Sequence, residues 1–136
     1  MSIEDPEKFA AGHWDWAILN GCFGDSKIKP TDIDGAIERN GFFLFLEAKA
    51  PGAQLKMGQR IFYEQLTRVK HISAIVVWGQ TNRPAQYQMH NWIGTSKILP
   101  CTPEKFRAIV AKWYERANQR QPVTLLEAYI LKRRVS

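Results

Sequence analysis

Apolar residues recur along this chain at two spacings, one helical and one typical of strands. Apolar positions three and four residues apart predict helices over residues 6–19, 56–69, 104–118 and 122–134. Short runs rich in branched and aromatic residues predict strands over residues 31–39, 42–48, 72–79 and 85–92. Because the helix at 56–69 connects two strands that read as buried, we expect a crossover between parallel strands. The pattern therefore predicts an α/β fold, with residues 85–92 as an edge strand.

An Asn-Gly dipeptide at positions 40–41 lies between the first two predicted strands. Both residue types tolerate positive φ, so the dipeptide predicts a two-residue hairpin turn. In that register Asp34 faces Glu47, Asp32 faces Lys49, and all four side chains emerge on one side of the sheet. Two opposed carboxylates roughly 5 Å apart repel each other, and a divalent cation between them would offset the repulsion. With a lysine beside them, the pair predicts a metal-dependent nuclease.

The composition is that of a globular protein, and its charge is unevenly distributed. The chain has 136 residues, 45% of them hydrophobic and 24% charged, and a net charge of +6. Residues 1–52 carry 5 Lys or Arg and 9 Asp or Glu, whereas residues 53–136 carry 14 and 4. An acidic patch followed by a basic surface suits a polyanion held near a metal. We expect a single domain over residues 1–136, with a core at about 6–92 and a helical extension at about 103–134.

The sequence also indicates where the protein works. No apolar run reaches the roughly 18 residues of a membrane span, and the acidic start of the chain does not resemble a secretory signal. Cys22 and Cys101 are far apart and lack metal-binding spacing, so we expect free thiols in a reducing compartment. These features predict a cytoplasmic protein without a membrane partner.

The order of the predicted elements and one motif resemble the PD-(D/E)xK nuclease superfamily. The motif consists of Asp34, then Glu47-Ala48-Lys49, then Gln59 early in the following helix. It is most similar to the VRR-NUC and Holliday-junction-resolvase-like branch of phages and bacteria. The resemblance covers roughly residues 7–80. It implies a restriction-endonuclease-like αβββαβ-type core, a mixed sheet flanked by helices, with additional C-terminal helices. It also implies an endodeoxyribonuclease that works in a bacterial host cell and is encoded by the bacterium or by a phage.

The resemblance assigns a role to each residue of the motif. Asp34 and Glu47 would hold Mg²⁺, or Mn²⁺ in its place, together with the backbone carbonyl of Ala48. Lys49 would stabilise the phosphate in the transition state and orient the attacking hydroxide. Gln59 would hydrogen-bond the water or the phosphate.

Two further acids are secondary candidates. Thr31 rather than aspartate follows Pro30, so the aspartate of the motif corresponds to either Asp32 or Asp34. We favour Asp34 because the hairpin register places it opposite Glu47. Asp15 is the other secondary candidate, because the first helix of several superfamily members supplies an additional acid to the site.

The expected partner is nucleic acid, with DNA favoured, and we expect cutting guided by nucleic-acid structure or by a partner protein rather than by base sequence. The residues expected to contact it are Lys56, Arg60, Lys132, Arg133 and Arg134, with a basic series at Lys105, Arg107, Lys112, Arg116 and Arg120. The five tryptophans suit base stacking, although most aromatics at these spacings are core residues. The apolar face of the last helix is compatible with a homodimer. The alternative is an inactive nucleic-acid-binding or interaction module on the same fold.

Overall fold

The chain divides into two compact units, Met1–Asp32 and Ile33–Ser136. The computed structural model describes residues 14–120 of them. In the described part of the first unit, the regular element is a 3-10 helix at Ala17–Leu19. The predicted helix is therefore wrong for residues 14–19, and residues 6–13 lie outside the described residues. Oδ1 of Asp15 accepts a 2.8 Å hydrogen bond from the N–H of Ala17, and such local bonds compete with helix formation.

The second unit contains a six-stranded mixed sheet and two helices. Its elements are β1 (Gly35–Arg39), β2 (Phe42–Lys49), α1 (Met57–Leu66), β3 (Ile72–Gln80), β4 (Arg83–Asn91), β5 (Gly94–Thr95), β6 (Leu99–Pro100) and α2 (Pro103–Gln119). The strand order is β1-β2-β3-β4-β5, with β6 also paired to β4. The β2–β3 pair is parallel and the other pairs are antiparallel. The α/β class, the mixed sheet and the parallel crossover through α1 are confirmed.

The β1–β2 hairpin has the predicted turn and register. Asn40 and Gly41 have φ values of 51° and 83°, and the paired residues run from Arg39↔Phe42 to Gly35↔Leu46. β1 begins at Gly35 rather than at residue 31, which corrects the predicted boundary. Just before β1, a side chain rather than a backbone carbonyl bonds to β2. Oδ2 of Asp34 accepts a 2.8 Å hydrogen bond from the N–H of Ala48.

The crossover helix packs on the sheet through only some of the apolar positions that predict it. Phe62 and Leu66 pack against the core, whereas Ile61 and Val69 are 50% and 57% exposed and Tyr63 and Thr67 are buried. The core on this side of the sheet consists of Tyr63, Ala74, Val76 and Trp78, with Phe45, Leu55, Phe62 and Leu66 packed against it. Burial of Tyr63 rotates Ile61 toward solvent, since residues two apart lie on different helix faces.

The prediction that residues 85–92 form an edge strand is wrong. β4 is not an edge strand, because β5 and β6 pair with the side that β3 leaves open. These strands of two residues each are too short to show a periodic pattern in the sequence. Within residues 14–120, two strands precede α1, and the restriction-endonuclease-like αβββαβ-type core stays a prediction.

Helix α2 begins and ends at well-defined caps. Oγ1 of Thr102 accepts a 3.1 Å hydrogen bond from the N–H of Lys105, as an N-cap residue does. At the other end, Nδ2 of Asn40 donates to the carbonyl oxygens of Ala117 and Arg120, each at 3.1 Å. The hairpin turn therefore anchors the C-terminus of α2. The helix predicted at 122–134 lies outside the described residues. No helix within residues 14–120 is both long and apolar enough to cross a membrane.

Candidate active site

Glu47 is a buried carboxylate near the end of β2, in the interior of the sheet. Its side chain is among the buried polar groups, with 5% of the residue exposed. Oε2 accepts a 2.8 Å hydrogen bond from the hydroxyl of Tyr63, and Oε1 accepts a 3.0 Å hydrogen bond from Nε2 of Gln59. Each carboxylate oxygen therefore has a donor on α1, which fixes the orientation of Glu47 while leaving lone pairs on both oxygens.

The spacing of the two donors explains why both reach the same carboxylate. Gln59 and Tyr63 are four residues apart on α1 and so lie on one face of the helix. That face covers the side of β2 and β3 that carries Glu47 and its register partner Val76. The crossover geometry thus places two polar groups of α1 over an acid of the sheet.

The surroundings of Glu47 disfavour the negative charge of its carboxylate. The pKa of Glu47 is raised, mainly because burial removes water from the carboxylate, and the charge of Asp34 raises it further. The hydrogen bonds from Tyr63 and Gln59 and the charge of Lys49 act in the opposite direction. The pKa of Tyr63 is also raised, chiefly by burial and by its bond to Glu47. An added positive charge would therefore be favourable beside this carboxylate.

The structure brings together four of the predicted site residues. Lys49 follows Glu47 by two residues on β2, and its Nζ lies 4.0 Å from Oε1 of Glu47. Asp34 is hydrogen-bonded to Ala48, between those two residues, and its charge acts on Glu47. Gln59 completes the group through its amide. Asp34, Glu47, Lys49 and Gln59 thus cluster where β2 ends.

The donor set of this cluster fits a hard cation that retains its water ligands. Within residues 14–120 no group of three or more His, Cys, Asp or Glu side chains could hold a metal ion. Mg²⁺ commonly binds one or two carboxylates and completes its octahedron with water and substrate phosphate. Asp34, Glu47 and the carbonyl of Ala48 match that requirement, whereas zinc would require more protein ligands.

One polar atom of the Gln59 amide lacks a hydrogen-bond partner within the described residues. This atom, Oε1, is buried. An ionised carboxylate only accepts, so the neighbouring Glu47 must face Nε2 and cannot satisfy Oε1. Buried polar atoms without a partner are rare and point to a water or ion at that position. Oε1 is therefore suited to accept a hydrogen bond from a metal-bound water.

The remaining predicted residues belong to the first unit, lie at the start of α1, or fall outside the described residues. Asp15 and Asp32 belong to the first unit, where both line one open cavity with Trp14 and Phe23. Asp15 is not in the middle of a helix, which removes the premise for its selection. The exposed Lys56 precedes α1, and Arg60 pairs with Glu64 at 2.9 Å. Lys132, Arg133 and Arg134 lie outside the described residues.

Tyr63 is the site residue that sequence reasoning missed. Aromatic residues in an amphipathic helix indicate core packing, and Tyr63 is indeed completely buried. The available signal was its position four residues after Gln59, on the helix face already assigned to the site. A buried tyrosine also needs a partner for its hydroxyl, and Glu47 is that partner.

No protein-family model, curated protein or solved structure matches the chain. Its function is therefore inferred from the side chains where β2 ends.

Proposed function

We propose that this chain is a Mg²⁺-dependent nuclease that hydrolyses phosphodiester bonds of DNA, with a PD-(D/E)xK site on a restriction-endonuclease-like core. The observation that carries the proposal is the environment of Glu47. This carboxylate is buried, is raised in pKa and lies beside the second acid Asp34. A bound divalent cation resolves the unfavourable charge, and Lys49 supplies a cation for the phosphate.

Each residue would have a distinct role. Asp34, Glu47 and the carbonyl of Ala48 would hold Mg²⁺, which would lower the pKa of a bound water and neutralise charge on the phosphate. Lys49 would stabilise the negative charge that develops on the phosphate oxygens. Oε1 of Gln59 would accept a hydrogen bond from the attacking water and orient it. Tyr63 would position Glu47 without touching the substrate.

The basic surface supports a nucleic-acid substrate without indicating a base sequence. Residues 83–120 carry the exposed or half-exposed cations Arg83, Lys97, Lys105, Arg107, Lys112, Arg116 and Arg120, against the acids Glu104 and Glu115. Contacts between such cations and phosphates give affinity without sequence choice. This favours cutting guided by nucleic-acid structure or by a partner.

The decisive experiment is cleavage of supercoiled plasmid DNA with Mg²⁺, with Mn²⁺ or with EDTA. Wild-type protein should nick or linearise the plasmid with either metal and should be inactive in EDTA. Asp34→Asn, Glu47→Gln and Lys49→Ala should each lower the rate about 100-fold or more, the size of losing one transition-state contact. Glu115→Gln, which changes an exposed acid on α2, is the matched control and should retain the wild-type rate.

The alternative, an inactive binding module on the same fold, predicts a different outcome. Such a protein would bind DNA with an affinity that falls as salt rises, and it would leave the plasmid intact with either metal. Equal residual cleavage by wild type and by all three site variants would indicate a contaminating nuclease and would overturn the proposal.

A further inference from the structure

The indole of Trp78 is buried on the strand next to Lys49. Trp78 lies on β3 and pairs with Lys49, the last residue of β2. Paired residues of neighbouring strands carry their side chains on the same face of the sheet. Trp78 is 5% exposed and belongs to the core against which α1 packs. The indole therefore shares a face of the sheet with Lys49, one strand away.

A hydrogen bond connects this indole to the loop that joins β2 to α1, residues 50–56. Nε1 of Trp78 donates a 2.6 Å hydrogen bond to the carbonyl oxygen of Ala53. The N–H of Ala53 donates in turn to the carbonyl oxygen of Ala50 at 3.1 Å, which closes a tight turn. Further along the loop, Leu55 packs against the core cluster that contains Trp78. The loop is thus attached to β3 by a polar and an apolar contact.

The backbone directly after Trp78 is irregular. The register of the β3–β4 pair shifts between Trp78 and Gly79, as at a β-bulge. Bulges re-aim the side chains beside them and occur preferentially at sheet edges and next to active sites. A Cβ at position 79 would collide with the carbonyl oxygen of Arg83, so the close approach of the two strands requires glycine. The bulge therefore adjoins the side chain that bonds to the loop.

The start of α1 relies on the loop in front of it. Within the described chain, the N-cap residue Lys56 makes no side-chain hydrogen bond to the helix. Helix ends fray, and their free N–H groups need partners that a capping side chain usually supplies. Gln59 lies in this first turn, and its Nε2 donates to Oε1 of Glu47 at 3.0 Å. The position of the Gln59 amide therefore depends on how the loop is held.

We propose that Trp78 is a positioning residue of the candidate active site. Its indole N–H fixes the loop 50–56, which has Lys49 before it and Gln59 shortly after it. Both side chains approach one atom, Oε1 of Glu47, with Nζ of Lys49 at 4.0 Å. The inference rests on the proposed function and adds to it a residue that touches neither metal nor phosphate. Such a residue matters because a misplacement of about 1 Å can reduce a rate roughly 100-fold.

The first test removes the indole N–H and measures the site without cleavage, in EDTA. Replacement of Trp78 by benzothienylalanine keeps the shape of the ring and exchanges its N–H for sulfur, and Trp78→Phe is the simpler variant. In both, NMR of the full chain should show the side-chain amide protons of Gln59 shifting toward the values of a solvent-exposed glutamine and exchanging faster with water. A purely structural role of the indole would leave these resonances where they are in wild type.

Trp113→Phe is the matched control. The Nε1 of Trp113 is also buried, but it has no hydrogen-bond partner in the described part of the chain. The substitution therefore shrinks a buried tryptophan without breaking a bond of its indole. It should leave the Gln59 resonances unchanged.

The second test separates orientation from substrate binding in the plasmid assay. Trp78→Phe should lower kcat about tenfold or more and leave KM unchanged, because it disturbs groups that act on the reacting phosphate. Trp113→Phe should retain both constants. The assays are run at a temperature at which circular dichroism shows all three proteins to be fully folded, so that loss of folded protein does not mimic a lower kcat.

The two tests distinguish the inference from the proposed function. Unchanged Gln59 resonances in both Trp78 replacements would overturn the inference, whether or not wild type cleaves the plasmid. Equal falls of kcat in Trp78→Phe and Trp113→Phe would also overturn it, as would shifted resonances with an unchanged kcat. Shifted resonances together with a wild type that leaves the plasmid intact would contradict only the nuclease and would keep Trp78 as the residue that positions Gln59.

Discussion

The Tyr63 hydroxyl donates a 2.8 Å hydrogen bond to Oε2 of Glu47, linking α1 to the interior of the sheet. Tyr63→Phe removes the donor and leaves a buried carboxylate oxygen unpaired. We expect a loss of about 1–3 kcal/mol in the free energy of unfolding, measured by urea titration. Tyr114→Phe, at an exposed position of α2, should leave the unfolding free energy unchanged. Equal stability of wild type and Tyr63→Phe would show that this hydrogen bond is not maintained in solution.

Much of the candidate site could be predicted because it depends on local signals. Positions 40–41 fix the turn, the turn fixes the register, and the register places Asp34 opposite Glu47. Each step requires only the φ preferences of Asn and Gly and the alternation of side chains along a strand. The observed pairing of Gly35 with Leu46 confirms the register up to the position next to Asp34 and Glu47.

What could not be predicted depends on contacts between distant residues. The rotation of α1 is set by burial of Tyr63 against β3 and by its bond to Glu47, whereas helical spacing also permitted Ile61 to face inward. The partners of β4 are the short strands β5 and β6, whose pairing no local pattern shows. Residues 14–19 likewise have apolar residues at helical spacing, but the hydrogen bond to the Asp15 side chain competes with an α-helix there.

The hairpin turn itself provides a test of the register. Gly41 has φ of 83°, a left-handed conformation that costs other L-residues about 1–2 kcal/mol. A Cβ there would lie 3.1 Å from Nη1 of Arg120, the flexible end of a side chain that can move aside. Gly41→Ala should therefore lower the unfolding free energy by about 1–2 kcal/mol.

Gly58→Ala is the matched control for the turn variant. Gly58 lies in α1, and an added Cβ would meet no atom within 4 Å. Alanine is a better helix former than glycine, so this variant should be unchanged or up to about 1 kcal/mol more stable. Equal effects of both substitutions in thermal and urea unfolding would contradict the requirement for positive φ at position 41.

His90 should make folding sensitive to mild acid. It is 1% exposed, its Nδ1 lies 2.9 Å from Oγ1 of Thr95, and its Nε2 has no hydrogen-bond partner within the described residues. Burial lowers the pKa of His90, with Glu64 opposing and Arg60 reinforcing the effect. A lowered pKa in the folded state means that stability is complete above the unfolded pKa of about 6.5 and falls as the pH decreases below it.

The acid sensitivity can be isolated with two substitutions. The raised pKa of Glu47 acts in the opposite direction, so the comparison is made in a Glu47→Gln background. Between pH 7.5 and 5.5, His90 should contribute a fall in the unfolding free energy with a slope of at most about 1.4 kcal/mol per pH unit. Adding His90→Gln should reduce that slope. A slope that does not depend on residue 90 would show that the imidazole takes up a proton equally readily in the folded and the unfolded protein.

The last prediction concerns Glu47 without and with metal. Because the pKa of Glu47 is raised in the folded state, its contribution to stability is present below the unfolded value of about 4.3 and is lost as pH rises through the folded value. Glu47→Gln stays neutral and escapes that loss. In EDTA, the stability of wild type relative to the variant should therefore decrease as the pH is raised from 4 to 7.5.

Bound metal should instead favour wild type over Glu47→Gln, because a cation that binds only the folded state stabilises it by mass action. Mn²⁺ at 100 times its dissociation constant should add about 2.7 kcal/mol to the unfolding free energy of wild type. Glu47→Gln and Asp34→Asn should lose this increment, and Glu115→Gln should keep it, as measured by thermal unfolding with Mn²⁺ and EDTA. An equal Mn²⁺ increment in Glu47→Gln and Asp34→Asn would place the ion elsewhere on the protein and separate the two acids from metal binding.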